Sequence, residues 1–239
     1  MTKQSNNNLT ISDKIIKLQN SISTKQQLIL VRQIVLEELD GQQALLDLLI
    51  NRRIINKLDL SYLDSIIFEA LYNSNIEKVK QGLSNYLPDG LINVKSFLSM
   101  DYQPLQNLLI NHKYQEADKL THLYLCKLVG LDKKNQRNWL YFTDISLLTS
   151  EDLYIIDKLW STYSRNKFGF SKQREIWLAN NCNWEKLWID IGWRSKGMLL
   201  RYPNEFTWNI NAPHGHLPLF NQLRGVQVLS ALFNHIIWS

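Results

Sequence analysis

Ser150-Glu151-Asp152-Leu153-Tyr154-Ile155-Ile156-Asp157-Lys158-Leu159-Trp160-Ser161-Thr162-Tyr163 is the stretch on which the fold turns. A serine stands where a helix cap belongs. Two acids follow in the first turn, the end of a helix dipole that favours them. Leu153, Ile156, Trp160 and Tyr163 then recur at steps of three and four, which lines one helical face with apolar groups. Trp160, in the middle of that stripe, is read as core. Few stretches elsewhere alternate with period two, so the same helical reading extends outward in both directions.

Toward the N-terminus, Ala117, Leu120, Thr121, Tyr124 and Leu128 line a helix that Gly130 stops, and Leu105, Leu108 and Leu109 begin a shorter one ended by Asn111-His112. Pro88-Asp89-Gly90 breaks the pattern and marks a domain boundary. Ahead of it lie Ile15, Leu18 and Ile22, then Leu28, Val31, Ile34 and Val35. Gly41 interrupts before Ala44, Leu45, Leu48 and Leu49. Asn51-Arg52-Arg53 is a polar interval, and Ser61 caps a helix through Leu63, Ile66, Ile67 and Ala70. Toward the C-terminus, Ser171 starts a helix ending near Asn180, Trp184 and Leu187 sit on another, and a last helix is expected over 218–233. Residues 192–215 form a long irregular segment. The expectation is an all-α protein, with an N-terminal helical bundle over 1–90 and a second helical domain over 91–239.

The 239 residues allow one or two domains with an ample core. All eight tryptophans lie beyond residue 138, and the first ninety residues hold only Tyr62, Phe68, Tyr72 and Tyr86 of the aromatic side chains. The net charge of +5 also belongs wholly to residues 91–239, because the first ninety carry ten basic and ten acidic groups. No basic run exceeds two residues, so nucleic acid is not an expected partner. Cys126 and Cys182 build no disulfide framework, and both are read as buried free thiols. No segment is apolar enough to span a membrane. The first ten residues are polar, with neither a signal core nor the arginines of a transit peptide. Abundant Asn, Ile and Lys point to an AT-rich gene.

Aromatic groups interleaved with cations and glycines suit a large flat ligand that carries anionic groups; an aromatic-rich core with solvated arginines is the other reading. On the last helix, Asn221, Arg224, Gln227 and Val228 share one side, with Leu219, Leu223, Val226 and Phe233 on another. Arg224 either pairs with a ligand carboxylate or stands as an ordinary solvated or salt-bridged arginine. Gly225 costs the helix about 1 kcal/mol, which close approach by a ligand or a backbone would explain. In the irregular segment, which also holds Phe206 and Trp208, Met198, Leu199, Leu200 and Tyr202 fit a pliable apolar wall flanked by Arg194 and Arg201, or else the segment packs over the core. Arg137, in Arg137-Asn138-Trp139-Leu140-Tyr141-Phe142, either adds a cation to a cleft or anchors a helix junction. His214 and His216 lack further ligands at metal-site spacing, so no metal is expected and they are read as braces. No nucleophile elbow, phosphate loop or nucleotide fingerprint is present, and no catalytic residue is assigned.

The run Arg137-Asn138-Trp139-Leu140-Tyr141-Phe142-Thr143 resembles the Genomes Uncoupled family of tetrapyrrole-binding proteins. So do Phe168-Gly169-Phe170-Ser171, Ile191-Gly192-Trp193, Phe206-Thr207-Trp208 and, above all, Gly215-His216-Leu217-Pro218-Leu219-Phe220-Asn221-Gln222-Leu223-Arg224-Gly225-Val226. The resemblance is strong over about 100–238 and weak before it. It implies a cupped, largely helical porphyrin-binding domain preceded by a helical bundle. It also implies a non-enzymatic accessory that binds protoporphyrin IX and magnesium protoporphyrin IX and promotes magnesium insertion through the large, porphyrin-binding subunit of magnesium chelatase.

Carried over by position, Asn221 and Arg224 match cleft-lining helix positions, and Phe206 and Trp208 match the aromatic loop. Leu199 and Tyr202 stand where cyanobacterial relatives tend to have tryptophan, and Gln227 replaces an arginine. The expected setting is an algal plastid and its stroma, for a monomer with a peripheral membrane contact open to it. The competing reading is a helical protein-interaction module with no physiological small ligand, whose aromatic cleft receives a partner helix or peptide.

Overall fold

A computed structural model describes residues 9–94, 100–131, 137–219 and 226–238. The chain divides into two compact units, residues 1–91 and 92–239.

Among its described residues the first unit forms five α-helices: α1 (Ile11–Asn20), α2 (Thr24–Val35), α3 (Glu38–Ile50), α4 (Tyr62–Tyr72) and α5 (Glu77–Tyr86). Thr10 and Ser61 begin α1 and α4 with reciprocal capping boxes to Asp13 and Asp64. Leu18, Ile34, Leu45, Leu49, Ile67, Leu71 and Val79 are buried. The polar interval continues α3 as a π-helical turn over Asn51–Ile55, and Arg52 Nε donates to the buried Asp64 carboxylate at 2.6 Å. Gly41, expected from its sequence position to interrupt the pattern, does not break a helix. It lies inside α3, where a Cβ would stand 2.0 Å from the Ile34 carbonyl oxygen, so its missing side chain lets α3 fold back against the end of α2.

The second unit contains α6 (Gln103–Ile110), α7 (Tyr114–Leu128), α8 (Ser150–Thr162), α9 (Phe170–Ala179), α10 (Trp184–Asp190) and α11 (Val226–Phe233), with short 3-10 turns at Phe142–Leu147 and Ile236–Trp238. Leu153, Ile156 and Trp160 are fully buried, as the stripe on α8 predicts. The cap is Thr149, one residue before the expected Ser150, and its side chain accepts from Asp152 N. Trp160 packs between Tyr114 and Phe168 and donates from Nε1 to Thr121 Oγ1 at 3.0 Å. The α9 terminus uses a distant cap, with Asp157 on α8 accepting from Ser171 N at 2.8 Å. Gly169 has φ +126 at that junction, and a Cβ there would lie 2.7 Å from Asp157 Oδ1.

The expected final helix does not begin at 218. Pro218 and Leu219 are non-helical because side chains of other helices take their backbone groups. Gln173 Nε2 on α9 donates to the Gly215 and Pro218 carbonyls at 3.0 and 2.8 Å, and Leu219 N donates to Asp118 Oδ1 on α7 at 2.6 Å. Among the described residues the helix found there is α11, which buries Val228, Leu229, Leu232 and Phe233. Val228, grouped with the ligand side from its spacing, is therefore a core residue. Within 192–215 a two-residue antiparallel pair also forms, β1 (Arg194–Ser195) with β2 (Met198–Leu199), in a segment expected to be wholly irregular.

Candidate functional site

The irregular segment is a braced loop. It leaves α10 through Gly192, whose φ is +70 and where a Cβ would stand 2.8 Å from Pro213 Cγ. Lys196 and Gly197, both at positive φ, turn β1 into β2, so that Arg194 pairs with Leu199. Glu205 accepts from Arg201 N at 2.6 Å, and Trp208 Nε1 donates to the Pro203 carbonyl at 2.9 Å. Trp193, Phe206, Ala212 and His216 are buried and fasten the loop to the helices. Trp193 Nε1 donates to the His216 carbonyl at 2.8 Å, and the Phe206 ring lies 5.5 Å from the His216 ring.

What the bracing leaves outside is apolar. Met198 is 69% exposed, Leu199 40% and Tyr202 41%, and Trp208 is half-buried beside them in sequence. Tyr202 meets Trp208 edge to face at 5.9 Å, and Phe206 meets it at 6.2 Å. Five of the expected site residues, Leu199, Arg201, Tyr202, Phe206 and Trp208, thus share one loop, and the three aromatic ones are linked ring to ring through Trp208. Phe206 is the buried support of that group and not an exposed face of it.

The cations differ in how free they are. The Arg194 guanidinium is held by Glu185 and by the Gly197 carbonyl. Arg137 pairs with Asp144, donates to the Trp139 carbonyl at 3.0 Å and lies 4.4 Å from the centre of the Tyr141 ring. It anchors the approach to Phe142–Leu147, a turn that packs against α11. Arg201 is exposed on the loop, and Gln227 is exposed on α11. Asn221 and Arg224 lie outside the described residues.

Two buried groups that sequence reasoning passed over hold the backbone behind the loop. One is Gln173. The other is Asp118, whose carboxyl burial pushes up to about 7 although Leu219 N–H partly opposes the shift. The phenol of Tyr202 is raised as well, first by burial and then by the Asp118 charge. A signal existed for Asp118: it stands three residues from Thr121 and seven from Leu125, on the buried face of α7. His216 is shifted down by burial, with the Ile191 carbonyl opposing. Among the described residues no group of three or more His, Cys, Asp or Glu side chains is placed to hold a metal. Cys126 is buried as expected, but Cys182 is exposed, at a positive-φ position just past the end of α9.

Comparison with known proteins places this architecture. The chain is 53% identical over 175 residues to protein ycf53 of Porphyra purpurea, covering 73% of each. It is 32% identical over 143 residues to the chloroplastic tetrapyrrole-binding protein of Arabidopsis thaliana, covering 56% of this chain and 54% of that one. The solved structure of GUN4 from Chlamydomonas reinhardtii superposes with a TM-score of 0.56 at 37% identity, over 62% of this chain and 96% of that one. Residues 95–236, well over half the length, match the family model described as GUN4-like. The family resemblance of the sequence motifs therefore holds, and the chain belongs to the GUN4-like family.

Proposed function

We propose that this protein is a non-enzymatic tetrapyrrole carrier or activator of the plastid, binding protoporphyrin IX and magnesium protoporphyrin IX and stimulating magnesium chelatase through its large subunit. The observation that carries this reading is the exposed Met198, Leu199 and Tyr202, with the half-buried Trp208, on a loop whose other side is fixed by hydrogen bonds. Apolar surface held rigid in solvent gains free energy when a flat ligand covers it, at about 25 cal/mol per Å². A macrocycle offers that area on both faces, and its propionates suit Arg201 on the loop and Arg224 in the segment matched to the family's cleft helix. The name of the Arabidopsis relative agrees with this ligand class.

Titration with deuteroporphyrin, a soluble porphyrin, tests the reading by absorbance and tryptophan quenching. Saturable one-to-one uptake at micromolar concentration or below is expected. Tyr202→Ala with Trp208→Ala should weaken uptake at least about tenfold, given the area the two rings offer. The same double variant should lose the stimulation of magnesium insertion that wild type gives to reconstituted chelatase. Stimulation that survives without porphyrin uptake would support a protein-interaction module instead.

A further inference from the structure

The ring of His216 is buried and engaged at both nitrogens. The Thr207 backbone N–H donates to Nε2 at 3.1 Å, which requires a bare lone pair there. The proton therefore resides on Nδ1, which donates to the Ile191 carbonyl at 2.7 Å. Only the neutral Nδ1–H tautomer satisfies both contacts. Gly215, at φ +72, makes this placement possible: a Cβ would come within 3.0 Å of Ile176 and Ile191 side-chain atoms. Thr207, the residue held, sits between Phe206 and Trp208.

We propose that His216 is a positioning residue for the tetrapyrrole loop: its bare Nε2 holds the Thr207 amide, which sets Phe206 and Trp208 for the macrocycle, and a proton on that nitrogen releases them. This rests on the tetrapyrrole reading above. Protonation would set N–H against N–H at Thr207 and bury a charge, and burial already disfavours the charged ring. The loop is therefore held above the ordinary histidine range and released as pH falls through the lowered value. Titratable side chains on the loop, on α10 and ahead of α9 have other partners. Glu205 of the loop accepts from Arg201, Asp190 at the end of α10 accepts from Asn180, and Lys167 donates to the Ile210 carbonyl. Neighbouring His214 feels burial and then Lys167, Lys172 and Glu175, and among the described residues none of these groups hydrogen-bonds to the His216 ring.

Two substitutions separate the two nitrogens. His216→Gln returns an oxygen acceptor near the position of Nε2, and His216→Asn returns a donor near that of Nδ1. At pH 8, His216→Gln should bind deuteroporphyrin within about twofold of wild type, whereas His216→Asn should bind about three- to tenfold more weakly, the worth of one net hydrogen bond. The affinity ratio of wild type to His216→Gln should fall on acidification, since titration of the ligand cancels between them. Equal binding by the two variants, or a ratio that is constant with pH, overturns the proposal. Wild type alone also decides it, should either variant misfold: ring 15N spectra should show a bare Nε2, and the Thr207 amide should exchange slowly until that nitrogen is protonated. A freely exchanging Thr207 amide, or protection that outlasts protonation, refutes the proposal. Wild type that protects Thr207 through a bare Nε2 and still takes up no porphyrin sinks the tetrapyrrole reading and leaves the brace, so the two failures are told apart.

Discussion

Asp118 lies on the buried face of α7, and among the described residues its hydrogen bond comes from the Leu219 amide. Its pKa rises from 3.8 to about 7, so between those values the folded chain retains a proton that the unfolded chain has released. Stability must then decline as pH rises through that window, by at most about 4 kcal/mol for a shift of this size. Asp118→Asn keeps an acceptor for Leu219 and removes the titration. Urea unfolding at pH 4 and pH 8 should show the wild type losing more stability than the variant. Parallel losses in the two proteins would mean that Asp118 ionises at no such cost. Arg224 makes the complementary case. With Gln227 neutral three residues on in sequence, no arginine there can substitute for it, and Arg224→Ala should weaken binding of a dicarboxylated porphyrin with melting unchanged. A charge-assisted contact is worth about 1.5–3 kcal/mol, reduced where solvent screens it. The dimethyl ester should erase most of the difference between wild type and variant, and equal losses for acid and ester would point to a disturbed wall.

Among the elements, the α8–α9 junction is the most constrained by one missing side chain. Gly169→Ala should destabilise the second unit by about 2 kcal/mol or more, combining a positive-φ penalty with displacement of the Asp157 cap. Thermal melting measures this, and a shift no larger than that of an exposed helix substitution would deny Asp157 its capping role. The junction also shows where sequence reading succeeds and stops. The stripe on α8 was legible because its signal is local: apolar groups at helical spacing with a capping hydroxyl beside them. The cap fell one residue early, since Thr149 and Ser150 offer the same chemistry and only backbone geometry chooses. The start of the last helix was misplaced because Gln173 and Asp118 capture the Pro218 carbonyl and the Leu219 amide from 45 and 101 residues away. No periodicity encodes such contacts. At the site, the length and greasiness of 192–215 marked Leu199 and Tyr202, and the family motif marked Phe206 and Trp208. Which of them is buried depended on His216, whose partners Ile191 and Thr207 come together only in the folded chain.

Across the whole molecule, the net positive charge and 22 of the 26 aromatic side chains belong to the unit of residues 92–239. The first unit closes its own core with helices whose caps, Thr10, Ser23 and Ser61, and whose buried ion pair, Arg52 with Asp64, are all internal. The second unit likewise satisfies its loop from within, through Trp193, His216, Gln173 and Asp118. Each unit should therefore fold on its own, and the tetrapyrrole site should need only the second. A fragment of residues 92–239 is expected to melt cooperatively and to bind deuteroporphyrin within about threefold of the full chain, a difference below 1 kcal/mol. Gly41→Ala offers the reciprocal test in the intact protein. Its Cβ would strike the Ile34 carbonyl and unsettle the first unit, yet porphyrin uptake should stay the same. A folded fragment that binds tenfold or more weakly, together with loss of uptake in Gly41→Ala, would assign the first unit a share in the site. Binding unchanged in both would leave the first unit free for contacts with other proteins, where the exposed Ile22 and Leu36 of its surface are the side chains to substitute next.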